Sequence, residues 1–208
     1  MKEKEILNFL KDFIEPIDDA IYGKGFRASV TLKDGTFLPC VIFRGSEKIV
    51  NLAIRRFDEE QSGKSIFTKK SNNLGYRKIL KTFVTKGNRI NVYDIANVQK
   101  SRFAIPVEII QKIKGETAMS WTAFVIEFKN GEKLSFGTSW SFQFFDIPNE
   151  FNFENFTNVI SGVYLNKDNQ IEPHKSILSL IDDKERKERL KFIYREKPFF
   201  ECFLDELN

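Results

Sequence analysis

Residues 28–43 decide the fold of the first half of the chain; they read Ala-Ser-Val-Thr-Leu-Lys-Asp-Gly-Thr-Phe-Leu-Pro-Cys-Val-Ile-Phe. Apolar side chains alternate with polar ones from Ala28 to Leu32, and a second apolar run begins at Phe37. The Asp-Gly pair at positions 34–35 lies between the two runs, and glycine supplies the positive φ that tight hairpin turns require. The stretch therefore predicts a β-hairpin.

The flanking sequence predicts a helix before this hairpin and three short strands after it. Apolar residues recur at helical spacing from Ile6 to Ile21, which indicates an amphipathic helix over about the first twenty residues, kinked or restarted at Pro16. The strands are expected at residues 49–57, 83–84 and 89–95. Residues 1–104 are therefore predicted to form a helix and a small five-stranded β-barrel with a basic insertion loop.

Residues 105–208 are predicted to add an aromatic-rich hairpin and helices that pack on this barrel, so that the whole is an α+β fold with two domains. Strands at 122–128 and 133–145 flank an Asn-Gly pair, which is a second hairpin signal. Helical spacing and capping residues indicate helices at 106–114, 148–162 and 174–194, and helical spacing extends over the apolar tail at 199–207.

The two predicted hairpins resemble each other in sequence. Val30-Thr-Leu-Lys-Asp-Gly in the first corresponds to Ile126-Glu-Phe-Lys-Asn-Gly in the second. Any two hairpins with polar turns share this much, so the sequence leaves open whether the two halves are a duplication.

The chain is rich in aromatic residues, with 22 Phe, 5 Tyr and 2 Trp. Twelve of these rings fall between Trp121 and Tyr164, where only Lys129 and Lys133 are basic. Single-stranded nucleic acids bind where rings and cations occur together. Because the two are separated along this sequence, we expect these rings to pack in a core.

Positive charge is concentrated in residues 61–107, which we call the basic segment. The segment has ten basic residues and one acid, a net charge of +9, whereas the rest of the chain has 23 basic and 28 acidic residues, a net charge of −5. Such a concentration favours phosphate binding, because each Lys or Arg that meets a phosphate releases condensed counterions. Alternatively, the segment keeps the protein soluble or pairs with the acidic remainder of the chain.

The composition is that of a globular protein, since 41% of the 208 residues are hydrophobic and 30% are charged. Two cysteines, Cys40 and Cys202, fit a reducing compartment better than a disulfide scaffold. No run reaches the ~18 apolar residues of a membrane span, and the charged start lacks a signal-peptide core. We expect a cytoplasmic protein without a membrane partner.

Two short motifs resemble those of the Sm and Lsm-like proteins. The first is Val30-Thr-Leu-Lys-Asp-Gly, followed by Ile42 and Glu47-Lys-Ile-Val-Asn-Leu; the second is Lys86-Gly-Asn-Arg-Ile. In that family a helix precedes a small barrel, and the loops that bear the two motifs bind an RNA base. The resemblance implies an Sm/SH3-like barrel with a base pocket at Asn51, Lys86 and Asn88. Such a pocket is physically reasonable, because an amide can read a base edge and a long cation can cover its ring.

The sequence offers little for catalysis. Its one histidine, His174, cannot build a metal cluster with two distant cysteines. Glu127-Phe-Lys129 resembles the acid-x-Lys signature of Mg²⁺-dependent nucleases, in which carboxylates hold the metal. We keep a nuclease as a remote alternative and expect a non-catalytic protein with no cofactor and no metal site.

The sequence thus favours a protein that binds nucleic acid, RNA rather than DNA. A protein–protein interaction or regulatory module, in host conflict or in assembly, is the main alternative, and the sequence leaves open a protein partner and a homo-oligomer. The candidate nucleic-acid-binding residues are Asn51, Lys69, Lys70, Arg77, Lys78, Lys81, Lys86, Asn88 and Arg89.

Overall fold

The computed structural model describes residues 1–19, 23–46, 51, 54–55, 58, 87–114, 121–139, 141–174 and 182–207. The helices are α1 (Glu3–Phe13), α2 (Val107–Lys112) and α3 (Asp183–Leu190), with short 3₁₀ helices at Val92–Asp94 and Phe153–Asn155. The strands are β1 (Pro16–Asp19), β2 (Gly23–Leu32), β3 (Phe37–Gly45), β4 (Arg89–Ile90), β5 (Ile95–Lys100), β6 (Thr122–Phe128), β7 (Lys133–Thr138), β8 (Phe156–Ser161), β9 (Val163–Leu165), β10 (Ile171–Pro173), β11 (Ile193–Arg195) and β12 (Phe200–Leu204).

These elements form two compact units, and the mixture of sheets and helices confirms the predicted α+β class. The first unit contains Met1–Lys100 together with Phe199–Asn208, and the second contains Ser101–Pro198. In the described part of the chain, no helix combines the length and the apolar character needed to cross a membrane.

Helix α1 covers one face of the first sheet. Ile6, Leu7 and Leu10 lie on its buried side and join the apolar residues of the sheet in one core. The helix is shorter than predicted. It ends at Phe13, and Pro16 begins β1 instead of continuing the helix, because proline lacks the N–H that a helix interior requires.

The first sheet has the order β1-β2-β3-β12-β4, and β5 pairs with β2 on the edge opposite β3. The β2–β3 hairpin lies where the sequence predicts it. Strand β12 lies between β3 and β4 and is parallel to both. No pairing within the described residues joins the two edges, so these strands form an open sheet and not the predicted closed five-stranded barrel.

Two predicted elements of the first unit are wrong in type, and a third is interrupted. The tail predicted as a helix is strand β12, in which Cys202 and Leu204 join the core. In the strand predicted over residues 49–57, the described residues Asn51, Ile54 and Arg55 are helical. The strand predicted over residues 89–95 is divided by the 3₁₀ helix into β4 and β5. The strand predicted at 83–84 lies outside the described residues.

The second sheet has the order β11-β7-β6-β8, and its core is aromatic as expected. Phe124 stacks on Phe136 with 5.6 Å between ring centroids and meets Phe145 edge-on at 5.4 Å. All three rings are buried.

Of two helices predicted in the second unit, one is replaced mainly by a strand and the other is only partly helical. The residues predicted as a helix over 148–162 form a 3₁₀ helix and β8, because pairing with β6 supplies the backbone partners there. The helix predicted over 174–194 is helical in α3, but the last residues of that predicted range belong to β11, which is parallel to β7. Helix α2 and the β6–β7 hairpin lie where predicted, although β7 ends earlier, at Thr138.

The two units repeat one structural module. In each unit a helix precedes a β-hairpin, and a 3₁₀ helix after the hairpin leads into a strand that pairs with the first strand of the hairpin. A later strand of the chain pairs in parallel with the second strand of the hairpin. The strand order is β5-β2-β3-β12 in one unit and β8-β6-β7-β11 in the other.

The ladder between the first hairpin strand and the strand after the 3₁₀ helix repeats at equivalent residues. The pairs Val30–Val98 and Leu32–Ile95 correspond to Ile126–Val159 and Phe128–Phe156, and both ladders shift register at the equivalent place. The backbone N–H of Lys33 donates to Asp94 O at 2.8 Å, as that of Lys129 does to Asn155 O at 2.9 Å. The sequence left open whether the two halves are a duplication. In the structure, the similarity extends from the two hairpins to the two modules.

Candidate nucleic-acid interface

Two predicted site residues, Asn88 and Arg89, lie at the edge of the first sheet beside β12. The Asn88 side-chain amide donates to Phe199 O at 3.2 Å, and the backbone carbonyl of Asn88 accepts from the N–H of Glu201 at 2.9 Å. The Arg89 guanidinium lies over the Phe203 ring, 4.9 Å from its centroid. Both residues therefore help to hold the C-terminal strand in the sheet.

Arg89 keeps unused hydrogen-bonding capacity in this position. Its Nε and Nη2 are buried and find no acceptor among the residues that the structure describes. A guanidinium is always charged and has five N–H donors, so these two buried donors are left without an acceptor among the described residues.

Within the described residues, no contact brings another predicted site residue to the sheet edge at Asn88 and Arg89. Asn51 is helical and exposed. The remaining cations, Lys69, Lys70, Arg77, Lys78, Lys81 and Lys86, lie outside the described residues.

Another cation of the basic segment has a structural task. Arg102, in the second unit, donates to the carbonyls of Ile147 at 3.2 Å and of Pro148 at 2.6 Å, and to the side chain of Asn149. Its guanidinium therefore fastens the loop before the second 3₁₀ helix.

A cationic groove lies within the second unit, and no sequence motif pointed to it. Its cavity volume is about 400 Å³. Its described lining includes three lysines, two asparagines and two aromatic residues but no acid; the lining residues are Lys133, Leu134, Ser135, Leu165, Asn166, Lys167, Asn169, Lys191, Phe192 and Tyr194.

The groove is shaped by the β9–β10 hairpin and by the start of β11. In the hairpin, the Asn166 side-chain oxygen accepts from the N–H groups of Asp168 and Gln170, both at 2.9 Å, and Asn169 takes a φ of 61°. The N–H of Leu165 donates to Ser135 Oγ, which ties the hairpin to β7. Local hydrogen bonds thus fix the turn that presents Lys167.

The hairpin is also tied to α3 through a carboxylate. Glu172 accepts from Tyr164 Oη at 2.5 Å, from the Asn166 amide at 2.7 Å and from Arg189 at 3.1 Å. The hydrogen bond from Tyr164, and then that from Asn166, hold the pKa of Glu172 below its usual range. This network holds the hairpin beside the helix that precedes Lys191.

The lysines of the groove differ in how far they are neutralised. Lys133 pairs with Glu127 at 3.0 Å, and Lys191 pairs with the exposed Glu188 at 2.6 Å. Lys167 is exposed and has no ion pair with a described residue. Since neither carboxylate lines the groove, the cleft can accept an anion.

Comparison with protein-family models, with curated proteins and with solved structures finds no match.

The residues of the nuclease hypothesis have other partners. Glu127 pairs with Lys133 and accepts from the amide of Asn158 at 3.0 Å, and these two bonds lower its pKa. Within the described ranges, no three His, Cys, Asp or Glu side chains lie close enough to hold a metal ion. His174 is buried, with its Nδ1 3.0 Å from Gly162 O.

Sequence reasoning missed the groove because its cations come from separate elements. Lys133 is on β7, Lys167 is on the β9–β10 turn, and Lys191 follows α3. The rings between Trp121 and Tyr164 supply the core of the second sheet, as expected, whereas Phe192, which lies outside that stretch, is next to Lys191 in sequence and lines the groove.

Proposed function

We propose that the protein is a non-catalytic nucleic-acid-binding protein whose main partner is RNA. The observation that carries this proposal is the charge separation in the sequence, with a net charge of +9 on residues 61–107 and −5 on the remainder. Electrostatic contacts of this kind supply most of the affinity of non-specific complexes and depend steeply on salt.

Within this proposal, different residues have different tasks. Phosphates would be met by five cations of the segment, and these supply affinity without reading sequence; they are Lys69, Lys70, Arg77, Lys78 and Lys81. Selectivity would come from the four residues that the Sm-like motifs suggest, namely Asn51, Lys86, Asn88 and Arg89. The unpartnered donors of Arg89 support its inclusion.

The direct test reverses charge in the basic segment. The variant has Lys69, Lys70, Lys78 and Lys81 changed to Glu, and the matched control has the exposed Lys4, Lys11, Lys114 and Lys129 changed to Glu. The net charge of the two variants is equal. Affinity for a labelled mixed-sequence single-stranded RNA is measured at constant salt.

We expect the segment variant to lose at least about tenfold in affinity, since several phosphate contacts disappear, and the control to lose much less. Equal losses would mean that only net charge matters, and an unchanged segment variant would exclude binding through the basic segment. Purification gives a further check: a clean ultraviolet spectrum with a co-purifying polypeptide would favour a protein-interaction module.

A further inference from the structure

The two modules share a framework, and the second unit has further elements that are not found among the described residues of the first unit. In the second unit, the β9–β10 hairpin and α3 lie between β8 and β11, whereas in the first unit β5 is the last strand before the chain enters the second unit. The hairpin and the turn after α3 supply most of the lining of the cationic groove. Functional residues are often on segments added to a stable framework.

The framework residues of the groove also differ between modules. Lys133 is the first residue of β7 and is the strand partner of Glu127 in β6. The equivalent residue at the start of β3 is Phe37, whose strand partner in β2 is Thr31. The module therefore forms without a lysine at this position. A cation here is a feature of the second unit and not a requirement of the hairpin.

The chemistry of the groove fits an unpaired nucleotide. Ammonium groups at Lys167 and Lys191 offer phosphate contacts, and the Phe192 ring is 49% exposed beside them. Bases stack on such rings, and stacking of this kind tolerates any base. A volume of about 400 Å³ is within the range of small-ligand sites.

We propose that this groove binds single-stranded RNA, with a phosphate between Lys167 and Lys191 and a base against Phe192. The inference rests on the proposed function and adds to it a second contact surface, distinct from the basic segment. Duplex RNA is excluded as the main occupant, because paired bases in an A-form helix cannot reach a side-chain ring.

The first test separates the groove from general charge. Lys167→Glu with Lys191→Glu is compared with Lys114→Glu plus Lys129→Glu, two exposed lysines of the same unit that do not line the groove. With a 12-nucleotide single-stranded RNA we expect about tenfold weaker binding for the groove pair and a much smaller change for the control. Equal affinities of the two variants would overturn the proposal.

The second test addresses stacking, and it uses a position that tolerates change because its side chain is half exposed. Phe192→Trp should keep the affinity, and single-stranded RNA, but not the matched duplex, should quench its fluorescence more than that of wild type, which already contains Trp121 and Trp140. Phe192→Leu keeps an apolar side chain without a ring and should bind about fivefold or more weakly. Quenching no greater than that of wild type at saturating RNA, or full affinity of the leucine variant, would contradict the assignment.

The two proposals can fail separately. If the groove variants bind like wild type while the basic-segment variant is weakened, the groove is not a contact surface but the protein still binds RNA through its basic segment. If the groove variants bind RNA more weakly and the basic-segment variant keeps its affinity, the groove is the binding surface and the role proposed for the basic segment is excluded. A wild-type protein that does not bind RNA would exclude both.

Discussion

Arg44 Nε lies 3.2 Å from Glu201 Oε1, and both side chains are almost fully buried, at 4% and 2% exposure. The pair joins neighbouring parallel strands, since β12 lies beside β3. The two residues are on the face of the sheet opposite the apolar core, to which Val41, Phe43 and Cys202 belong. The C-terminal strand is thus held by an apolar core on one face and by an ion pair on the other.

Loss of one partner of this pair should be costly. Glu201→Ala leaves a buried guanidinium without its carboxylate, and we expect a loss of about 3–5 kcal/mol in the free energy of unfolding, measured by urea denaturation. Glu206→Ala, an exposed neighbour in the same C-terminal stretch, is the control and should change stability little. A loss below about 1 kcal/mol for Glu201→Ala would show that the pair does not anchor β12.

The thiol of Cys202 should be inert in the folded protein. Burial, with a smaller contribution from Glu3, raises the pKa of Cys202 to about 12, so very little thiolate exists at neutral pH. In a Cys40→Ala background, a thiol reagent should react only after denaturant is added. Rapid reaction of the native protein would show that β12 detaches from the sheet readily.

The β9–β10 hairpin should lose stability in acid because of Glu172. Hydrogen bonds from Tyr164 and Asn166 lower the pKa of this carboxyl in the folded protein. The stabilisation by the ionised Glu172 side chain is therefore complete at pH values above the usual pKa range of glutamate. It is lost as the pH falls through the lowered pKa of Glu172 in the folded protein. Wild type should be more stable than Glu172→Gln at neutral pH, and the difference should shrink in acid. A difference that does not depend on pH would indicate a role other than that of a charged acceptor.

The repeated module predicts matched effects of matched substitutions. Asn91 and Asn152 cap the two 3₁₀ helices, and their side chains accept from the N–H groups of Tyr93 and Glu154, both at 3.0 Å. Asn91→Ala and Asn152→Ala should each cost about 0.5–2 kcal/mol, as loss of a helix cap does. The exposed Asn97→Ala is the control. Strongly unequal losses would show that the two caps do not have equivalent roles.

The short-range patterns were predictable from the sequence, whereas most long-range pairings were not. The Asp-Gly and Asn-Gly turns fix both hairpins locally, and the structure has them at the predicted residues. The tail from Phe199 to Leu207 has helical spacing, yet it forms a strand because β3 and β4 supply backbone partners on both sides. Tertiary pairing of this kind overrides a weak local preference.

The candidate site was predicted only in part for a related reason. Asn88 and Arg89 belong to the second Sm-like motif, and in the structure they lie at one sheet edge, where they hold β12. The groove lysines come from three elements far apart in sequence, so no spacing could reveal them. Only the module comparison shows that the elements around them are additions.

The salt dependence of RNA binding tests the central claim most directly. For wild type, log affinity should fall linearly with log salt concentration, with a slope of about −0.7 for each phosphate neutralised on a single strand. Changing Lys69, Lys70, Lys78 and Lys81 to Glu should reduce the magnitude of that slope by about 2.8 if each of the four lysines meets one phosphate. A flat response in wild type, or the same slope in both proteins, would contradict binding through the basic segment.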